Sequence, residues 1–387
     1  MVNGPLWCYF YAMKYVDNEN PMASMRFSCT QVSPNSLVYG TENDLRKGFA
    51  SIQTYAKPER VFVENNCSVS LVGDDVQGIA DQMDLPWSVY AMDSGGMKGS
   101  FEAGYSAASL RIEKEMKTKE KIPASVNVLG LSTVHMKGRE DAEEIRRLLS
   151  LCGIRVISMP GGGSNWDDIM DAPSASLNIV VKDELGLSLA KQMEQDFGTP
   201  YMSCGLPYGT DGTVAWLSEI IEKLGTGELT RAVHEAAKLK EFLLRKGNNL
   251  ESLWGPLWFD AVLISAPPSE ALGIAETIRS EWIDTARLVV HAQCVTEKTT
   301  PAADVIRIVM KNEKEITKDY EDWQGGLVLS SSHETHLLWR MGKSFTGFHI
   351  ALPSHDEVHF SDLPQCGLRG AGYLYEQLWN AKLRKQG

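Results

Sequence analysis

The chain has 387 residues, of which 43% are hydrophobic and 23% charged, with a formal net charge of −12. This composition is typical of a globular protein of two or three domains, and the acidic excess argues against binding to nucleic acid or to an anionic membrane surface. No stretch approaches the roughly 18 apolar residues of a membrane span. The N-terminus lacks a secretory signal pattern, so we expect a cytoplasmic protein whose seven cysteines are not a disulfide framework.

The first hundred residues place cysteines beside predicted elements. Residues 1–25 are aromatic and predicted to be irregular, with Cys8 among them, and Cys29 lies in a short strand-like run. An apolar strand at 61–63 leads to Cys67, which precedes a helical segment. A thiol at a helix start is easily deprotonated, because the positive end of the helix dipole lies beside it. Cys8 and Cys67 therefore suit a soft metal or an iron–sulfur cluster. The alternative, which applies also to Cys29, is a buried apolar thiol.

A glycine-rich turn at 94–100 follows a predicted strand at 86–92. Its spacing does not match the dinucleotide fingerprint Gly-x-Gly-x-x-Gly. We therefore expect the backbone at Gly95 and Gly96 either to approach a bulky group closely or to form a simple turn. A charged connector at 113–124 then predicts a domain boundary.

Strand and helix patterns alternate through the rest of the chain. Strands are predicted at 125–131, 154–158, 175–181, 259–265, 326–333 and 348–352, with helices between them, a helical region at 212–246 and a last helix at about 371–382. Residues 305–310 could be either strand or helix. Three such repeats predict an α/β protein of three doubly wound domains with mainly parallel sheets, at 1–120, 121–248 and 249–387. Ligands of such sheets bind at the carboxyl ends of the strands.

Four of the eight histidines, all near the C-terminus, fall into two closely spaced pairs. His333 and His336 could lie one turn apart on a helix start, and so could His355 and His359. Paired histidines at such spacing can bind zinc or iron; the alternative is polar loop histidines at a strand end. The sequence has neither a Walker loop nor a Gly-x-Ser-x-Gly elbow, so any ATP hydrolysis must come from a partner.

Two motifs resemble those of the nitrogenase component 1 superfamily. Residues 4–8 (Gly-Pro-Leu-Trp-Cys) resemble its Gly-Pro-x-Gly-Cys motif, and residues 67–75 resemble its Cys-x-x-x-(Leu/Val)-Ile-Gly-Asp-Asp motif. Further segments follow in family order at 38–40, 127–130, 148–154, 175–180, 189–190, 197–201, 206–213 and 367–370. Each segment is weak alone, but their order along most of the chain is specific. Residues 206–213 look nearer to the β-type subunit.

The resemblance implies three Rossmann-like domains and an iron–sulfur cluster, 4Fe–4S or P-cluster-like, held by Cys8 and Cys67 at an interface with a homologous subunit. The assembly would be a heterodimer, a homodimer or an α2β2 complex. A separate P-loop ATPase iron–sulfur reductase would supply electrons. We therefore expect a nitrogenase-like oxidoreductase subunit that reduces a substrate, such as a carbon–sulfur compound or a tetrapyrrole. The alternatives are a non-catalytic scaffold for metallocluster assembly and a redox-inactive structural subunit.

The chain departs from the family pattern in two ways. Catalytic subunits carry a further cluster cysteine before the Gly-Pro motif, and that position has no match here. We expect either a truncated chain or a smaller shared cluster, with Cys29 as an off-register substitute. The cysteine that holds the large cofactor of the nitrogenase α subunit corresponds to Lys182, and His355 matches the cofactor histidine only loosely. Nitrogen reduction is therefore not expected.

Overall fold

A computed structural model of the chain describes residues 1–20, 23–93, 95–294, 303–309 and 313–385. The chain divides into two compact units, Met1–Ile112 and Glu113–Gly387. Their parallel sheets confirm the predicted α/β class. The unit boundary falls at the start of the predicted connector 113–124. The second unit has one sheet in the range 121–248 and another in 249–387, and the division of this unit into two domains stays a prediction.

The first unit has a three-stranded sheet of order β1-β2-β3. Its elements are β1 (Val2–Asn3), α1 (Leu6–Glu19), a 3₁₀ turn (Ser24–Arg26), α2 (Ser36–Tyr39), α3 (Glu42–Tyr55), β2 (Arg60–Asn65), α4 (Cys67–Val72), α5 (Val76–Asp81), β3 (Ser88–Met92) and α6 (Phe101–Glu113). Leu45 and Phe49 lie one turn apart on α3 and are fully buried, as is Val63 of β2. The core of this unit lies between that face of α3 and the sheet.

The second unit begins with a sheet of order β5-β4-β6-β7. Its elements are β4 (Ile122–Leu129), α7 (Gly138–Leu151), β5 (Arg155–Ser158), α8 (Trp166–Asp171), β6 (Ala175–Val180), α9 (Asp183–Phe197), β7 (Tyr201–Ser203), α10 (Thr210–Leu224) and α11 (Thr230–Trp254). Residues 177–180 of β6 are all buried, as expected of a parallel strand covered on both faces.

The other sheet of this unit has the order β10-β9-β8-β11-β12. The elements that form and cover it are β8 (Trp258–Ala266), α12 (Pro268–Thr277), a π-helical turn (Ile278–Trp282), β9 (Asp284–Ala292), β10 (Val305–Ile308), α13 (Glu313–Glu321), β11 (Leu327–Ser330), α14 (Ser332–Arg340), β12 (Thr346–His349) and α15 (Gly367–Lys385). The ambiguous segment 305–310 is thus a strand over its first four residues. None of the helices in the described ranges is long and apolar enough to cross a membrane.

One predicted element is wrong in a way that matters for function. Residues 1–25 were expected to be irregular, but most of them form α1. The apolar residues of α1 do not all lie on one buried face of the helix. Met13 is buried, whereas Trp7, Phe10 and Tyr11 are exposed. The usual sequence signal for a helix is a stripe of apolar residues that faces the core. A helix whose aromatic side chains face outward lacks this signal and is therefore not predicted.

Candidate functional site

Two exposed cysteines occupy the first turns of two helices in the first unit. Cys8 is the third residue of α1, and Cys67 is the first residue of α4. The Asn66 side chain caps α4, since its Oδ1 accepts the N–H of Val69 at 3.0 Å. The N-terminal end of a helix favours negative charge, so both positions suit a thiolate.

Each of the two sulfurs also accepts an N–H hydrogen bond. Asn66 Nδ2 donates to Cys8 Sγ at 3.2 Å, and the Gly96 amide donates to Cys67 Sγ at 3.2 Å. A Cβ atom at Gly96 would lie 3.3 Å from Cys67 Sγ, and one at Gly95 would lie only 2.4 Å from Ser70 Oγ. The glycine-rich turn is therefore where the backbone comes against the Cys67 thiol.

A buried polar network holds the loops that carry these cysteines. Asn3 Nδ2 donates to Thr41 Oγ1 at 3.2 Å and to Asn65 Oδ1 at 3.0 Å. Thr41 Oγ1 donates to Asp74 at 2.7 Å, and Asp75 caps α5 by accepting the Gly78 amide at 2.9 Å. The two carboxylates of the Gly-Asp-Asp turn therefore hold the surrounding loops in place and do not act as metal ligands.

Sequence reasoning singled out the motif that contains Asp74 and Asp75 but missed Asn3, Thr41 and Asn66. The usable signal was an asparagine at each strand end, because Asx side chains there bond the neighbouring loops and helix starts.

Large apolar side chains lie exposed on the elements that carry the thiols. They are Leu6, Trp7, Phe10 and Tyr11 of α1, Val38 and Tyr39 of the neighbouring helix α2, Leu71 of α4, Met97 of the glycine-rich turn, and Phe101 just after that turn. The exposed fraction reaches 69% for Trp7 and 88% for Tyr39. The rings of Trp7 and Phe10 meet edge to face at 6.2 Å. We call these residues the aromatic rim. Exposed apolar groups of this extent mark surfaces that bind another molecule.

The third candidate, Cys29, is half-buried in the same unit. Its Sγ donates to the Gly4 carbonyl at 3.3 Å and accepts the Gln31 amide at 3.4 Å. In the described part of the chain, no three His, Cys, Asp or Glu side chains are arranged to hold a single metal ion. The ligands of a 4Fe–4S cluster each bind a different iron and stand further apart, so a cluster does not require such a group.

Lys182 in the second unit lies among buried charges. It follows β6, is 2% exposed, forms an ion pair with Glu270 of α12 and contacts His135 Nδ1 at 3.1 Å. Burial acts to raise the pKa of Glu270, but Lys182 and His135 outweigh it and hold that pKa near 2. Burial together with the charge of Glu270 raises the pKa of Glu184 to about 7. A cofactor that needs a thiolate ligand has none at residue 182, because the residue there is a lysine paired with Glu270.

The predicted histidines separate in the structure. His333 and His336 lie on the first turns of α14, which is the first of the two alternatives, whereas His355 and His359 lie in a loop, which is the second. His336 lines a cavity of about 360 Å³ that His333 and His355 do not line. The other lining residues are Thr335, Trp339, Phe345, Gly347, Phe348, His349, Asp356 and Glu357.

Sequence reasoning missed His349, which is buried at the end of β12. Its Nδ1 lies 2.9 Å from Ser354 Oγ, and its Nε2 lies 3.5 Å from Asp356. Nothing in its sequence neighbourhood marked it, because its partners come from a loop that packs back onto the strand only in the folded chain.

Comparison with known proteins identifies the family. A family model described as nitrogenase component 1 type oxidoreductase matches residues 1–383. The chain belongs to this family. The nitrogenase solved as "Nitrogenase Cp1 at pH 6.5" has the same fold, with a TM-score of 0.74 over 100% of this chain and 88% of that chain, at 16% identity.

Several relatives of this nitrogenase component 1 protein have been named. The nitrogenase iron-molybdenum cofactor biosynthesis protein NifE of Clostridium pasteurianum is 29% identical over 65% of this chain and 54% of its own length. The nitrogenase molybdenum-iron protein alpha chain of Methanosarcina barkeri is 26% identical over 61% of this chain and 46% of its own length. A light-independent protochlorophyllide reductase subunit from Prosthecochloris aestuarii is 23% identical over 88% of this chain and 67% of its own length. The chain therefore spans about half the length of the first two relatives.

Proposed function

We propose that this nitrogenase component 1 protein is a subunit of a nitrogenase-like reductase, and that Cys8 and Cys67 hold part of an iron–sulfur cluster shared with another subunit. The observation that carries the proposal is the pair of exposed thiols at helix starts, each accepting an N–H hydrogen bond. Hydrogen bonds to ligand sulfurs and the extent of burial set the reduction potential of such a cluster. When bound, the cluster supplies one-electron transfer.

The residues around the thiols have distinct parts in this function. Asn66 fixes the start of α4 and donates to Cys8, while the Gly96 amide donates to Cys67. The aromatic rim is the surface that a homologous subunit would cover. Covering it would remove water from the thiols and lower the local dielectric, which strengthens the same hydrogen bonds.

Electrons would come from a separate ATP-dependent iron–sulfur reductase, since this sequence has no Walker loop. The substrate would be a tetrapyrrole or a carbon–sulfur compound. The relative named as a protochlorophyllide reductase subunit, which matches 88% of this chain, supports a tetrapyrrole.

The rival function is a scaffold for metallocluster assembly, and the NifE relative favours it. The ion pair of Lys182 with Glu270 counts against a cluster precursor held at the end of β6. A scaffold and a reductase also differ in what happens to the iron. A scaffold transfers its cluster to an apo-acceptor protein and loses iron, whereas a reductase retains its iron through turnover with the electron donor and MgATP.

Iron content and visible absorbance after anaerobic purification test the proposal. We expect Cys8→Ala and Cys67→Ala each to lose most of the iron and the charge-transfer absorbance. Cys204→Ala, a half-buried thiol of the second unit, serves as the matched control and should keep both. Unchanged iron in the Cys8 and Cys67 variants would show that these thiols are not ligands.

A further inference from the structure

We propose that the cavity beside β12 in the second unit binds a small organic cation with a flat apolar body, such as an aromatic amidine. This is the cavity of about 360 Å³ that His336 lines. Its volume lies at the lower end of the range of small-molecule sites. The residues that line it include no cysteine, so the inference does not depend on the proposed cluster.

Aromatic side chains contribute much of the lining. Trp339 of α14 and the phenylalanines at 345 and 348 all border the cavity. Phe348 is buried, whereas Trp339 is 72% exposed, and its ring meets the ring of His336 at 6.5 Å. The face of an aromatic ring attracts a cation, most strongly when the ring is that of tryptophan. This lining therefore favours a ligand with an apolar body and a positive charge.

Two carboxylates supply the negative charge that such a ligand needs. Asp356 and Glu357 line the same cavity, and their side chains are 46% and 30% exposed. The nine lining residues, all in the described part of the chain, include no lysine or arginine. Imidazoles lie 3.5 to 3.9 Å from the carboxylates, namely those of His336, His349 and His359. An imidazole can be neutral at physiological pH, and the carboxylates then give the cavity a net negative charge.

The loop that carries the carboxylates is fixed to the rest of the unit. The His349 amide donates to Glu357 Oε2 at 3.2 Å, and His349 Nδ1 lies 2.9 Å from Ser354 Oγ. At the start of α14, the Ser332 amide donates to the Pro353 carbonyl at 2.8 Å. These bonds hold the carboxylates in place before a ligand arrives, which lowers the entropic cost of binding.

Benzamidine and its neutral isostere benzamide test the assignment with the anaerobically purified full chain. The two probes share a planar ring, but only benzamidine carries a positive charge. We expect benzamidine to bind with a dissociation constant of about 1 mM or below, measured by isothermal titration calorimetry. Benzamide should bind at least about tenfold more weakly, because it forms no charge-assisted hydrogen bond with the carboxylates.

Variants of the lining residues locate the bound probe. The double variant Asp356→Asn/Glu357→Gln keeps the side-chain shapes and an oxygen that can accept the His349 amide, so we expect it to fold. It should weaken benzamidine binding by at least about tenfold. Trp339→Leu changes an exposed side chain and should weaken binding several-fold. Asp322→Asn removes an exposed carboxylate of the same unit that does not line the cavity. It is the matched control and should bind as the parent does.

Three results would overturn the inference. The first is the absence of benzamidine binding at about 10 mM. The second is equal affinity for benzamidine and benzamide, which would show that the charge is not recognised. The third is unchanged affinity in Trp339→Leu or in the double variant, each with the circular dichroism spectrum of the parent, which would place the probe elsewhere. The iron content of the protein is measured separately, so the proposed function stands or fails independently of these results.

Discussion

The thiol region of the first unit and the buried charges of the second unit both lie after the carboxyl ends of parallel strands, yet they differ in how their groups are satisfied. Cys8 and Cys67 are exposed, and each accepts a single N–H. Lys182 and Glu270 are less than 10% exposed, and each neutralises the other.

This difference separates the proposed cluster site, whose thiols are exposed, from a buried position whose charges are already paired. Thiols at helix starts, surrounded by exposed aromatic side chains, have capacity left for a metal and for another chain. A buried ion pair has no such capacity, because removing one charge leaves the other without compensation. The carboxyl edge of a parallel sheet can therefore carry either exposed thiols or a buried ion pair, depending on the residues that follow the strand.

The largest effect is expected from breaking the buried ion pair. Lys182→Met should lower the free energy of unfolding by about 3–5 kcal/mol, since it leaves the Glu270 carboxylate buried without its main partner. The double variant Lys182→Met/Glu270→Met should recover most of that loss. Urea unfolding of the single and double variants measures both quantities. A loss of less than ~1 kcal/mol in the single variant would contradict the description of this region as self-neutralising.

The next effect is the pH dependence caused by Asp141, a buried residue of α7 beside these charges. Burial raises its pKa to about 6 even though Oδ1 accepts the amides of Gln365 and Cys366 at 2.7 and 2.9 Å. The folded chain thus binds this proton more tightly than the unfolded chain, in which the pKa of Asp is about 3.9. The contribution of Asp141 to stability is therefore fully present only below about pH 4 and falls by about 3 kcal/mol in total as the pH rises to above about 6.

Comparison with Asp141→Asn isolates this contribution. The amide oxygen can still accept the two backbone N–H groups, but the side chain does not titrate. The difference in unfolding free energy between the two proteins, measured by urea titration at several pH values, should change across that range and stay level above it. A constant difference would show that Asp141 is not the titrating group.

A smaller effect is expected at Asn66 in the thiol region. Asn66→Ala removes the cap of α4 and the donor to Cys8, and should cost about 1 kcal/mol of stability. Asn66→Asp keeps the capping acceptor but removes the donor, so it should restore most of the stability while changing the reduction potential of the bound cluster. Thermal unfolding and a redox titration separate the two roles. Equal potentials in the Asn66→Asp protein and the parent would mean that the Asn66 N–H does not tune the cluster.

The smallest effect on stability is expected in the aromatic rim. Trp7→Ser should change the free energy of unfolding by less than about 0.5 kcal/mol, because the ring is 69% exposed. If the rim is the proposed interface, the substitution should nevertheless weaken association with a homologous subunit, measured by analytical ultracentrifugation. Trp339→Ser, at an equally exposed tryptophan of the second unit, is the control. Equal association of both variants with the partner would argue against the rim as the interface.

Much of the fold followed from local pattern, and the failures have physical reasons. The apolar strand β6 and the amphipathic helix α3 obey the periodicities that burial imposes. The helix α1 does not, because its aromatic residues face outward. His349 and Asn3 were missed because their partners lie far along the chain or in a loop that packs back.

The sequence by itself determined the α/β class, the position of Cys67 beside a helix start, and the family, because these depend on local pattern and on the order of short motifs. The helix that carries Cys8 became visible only in the structure. Only the tertiary structure showed that the sulfurs of Cys8, Cys29 and Cys67 each accept an N–H hydrogen bond. It also showed that Lys182 forms an ion pair with Glu270. Hydrogen bonds and ion pairs join residues that are distant in the sequence, and the fold must bring them together before either can form.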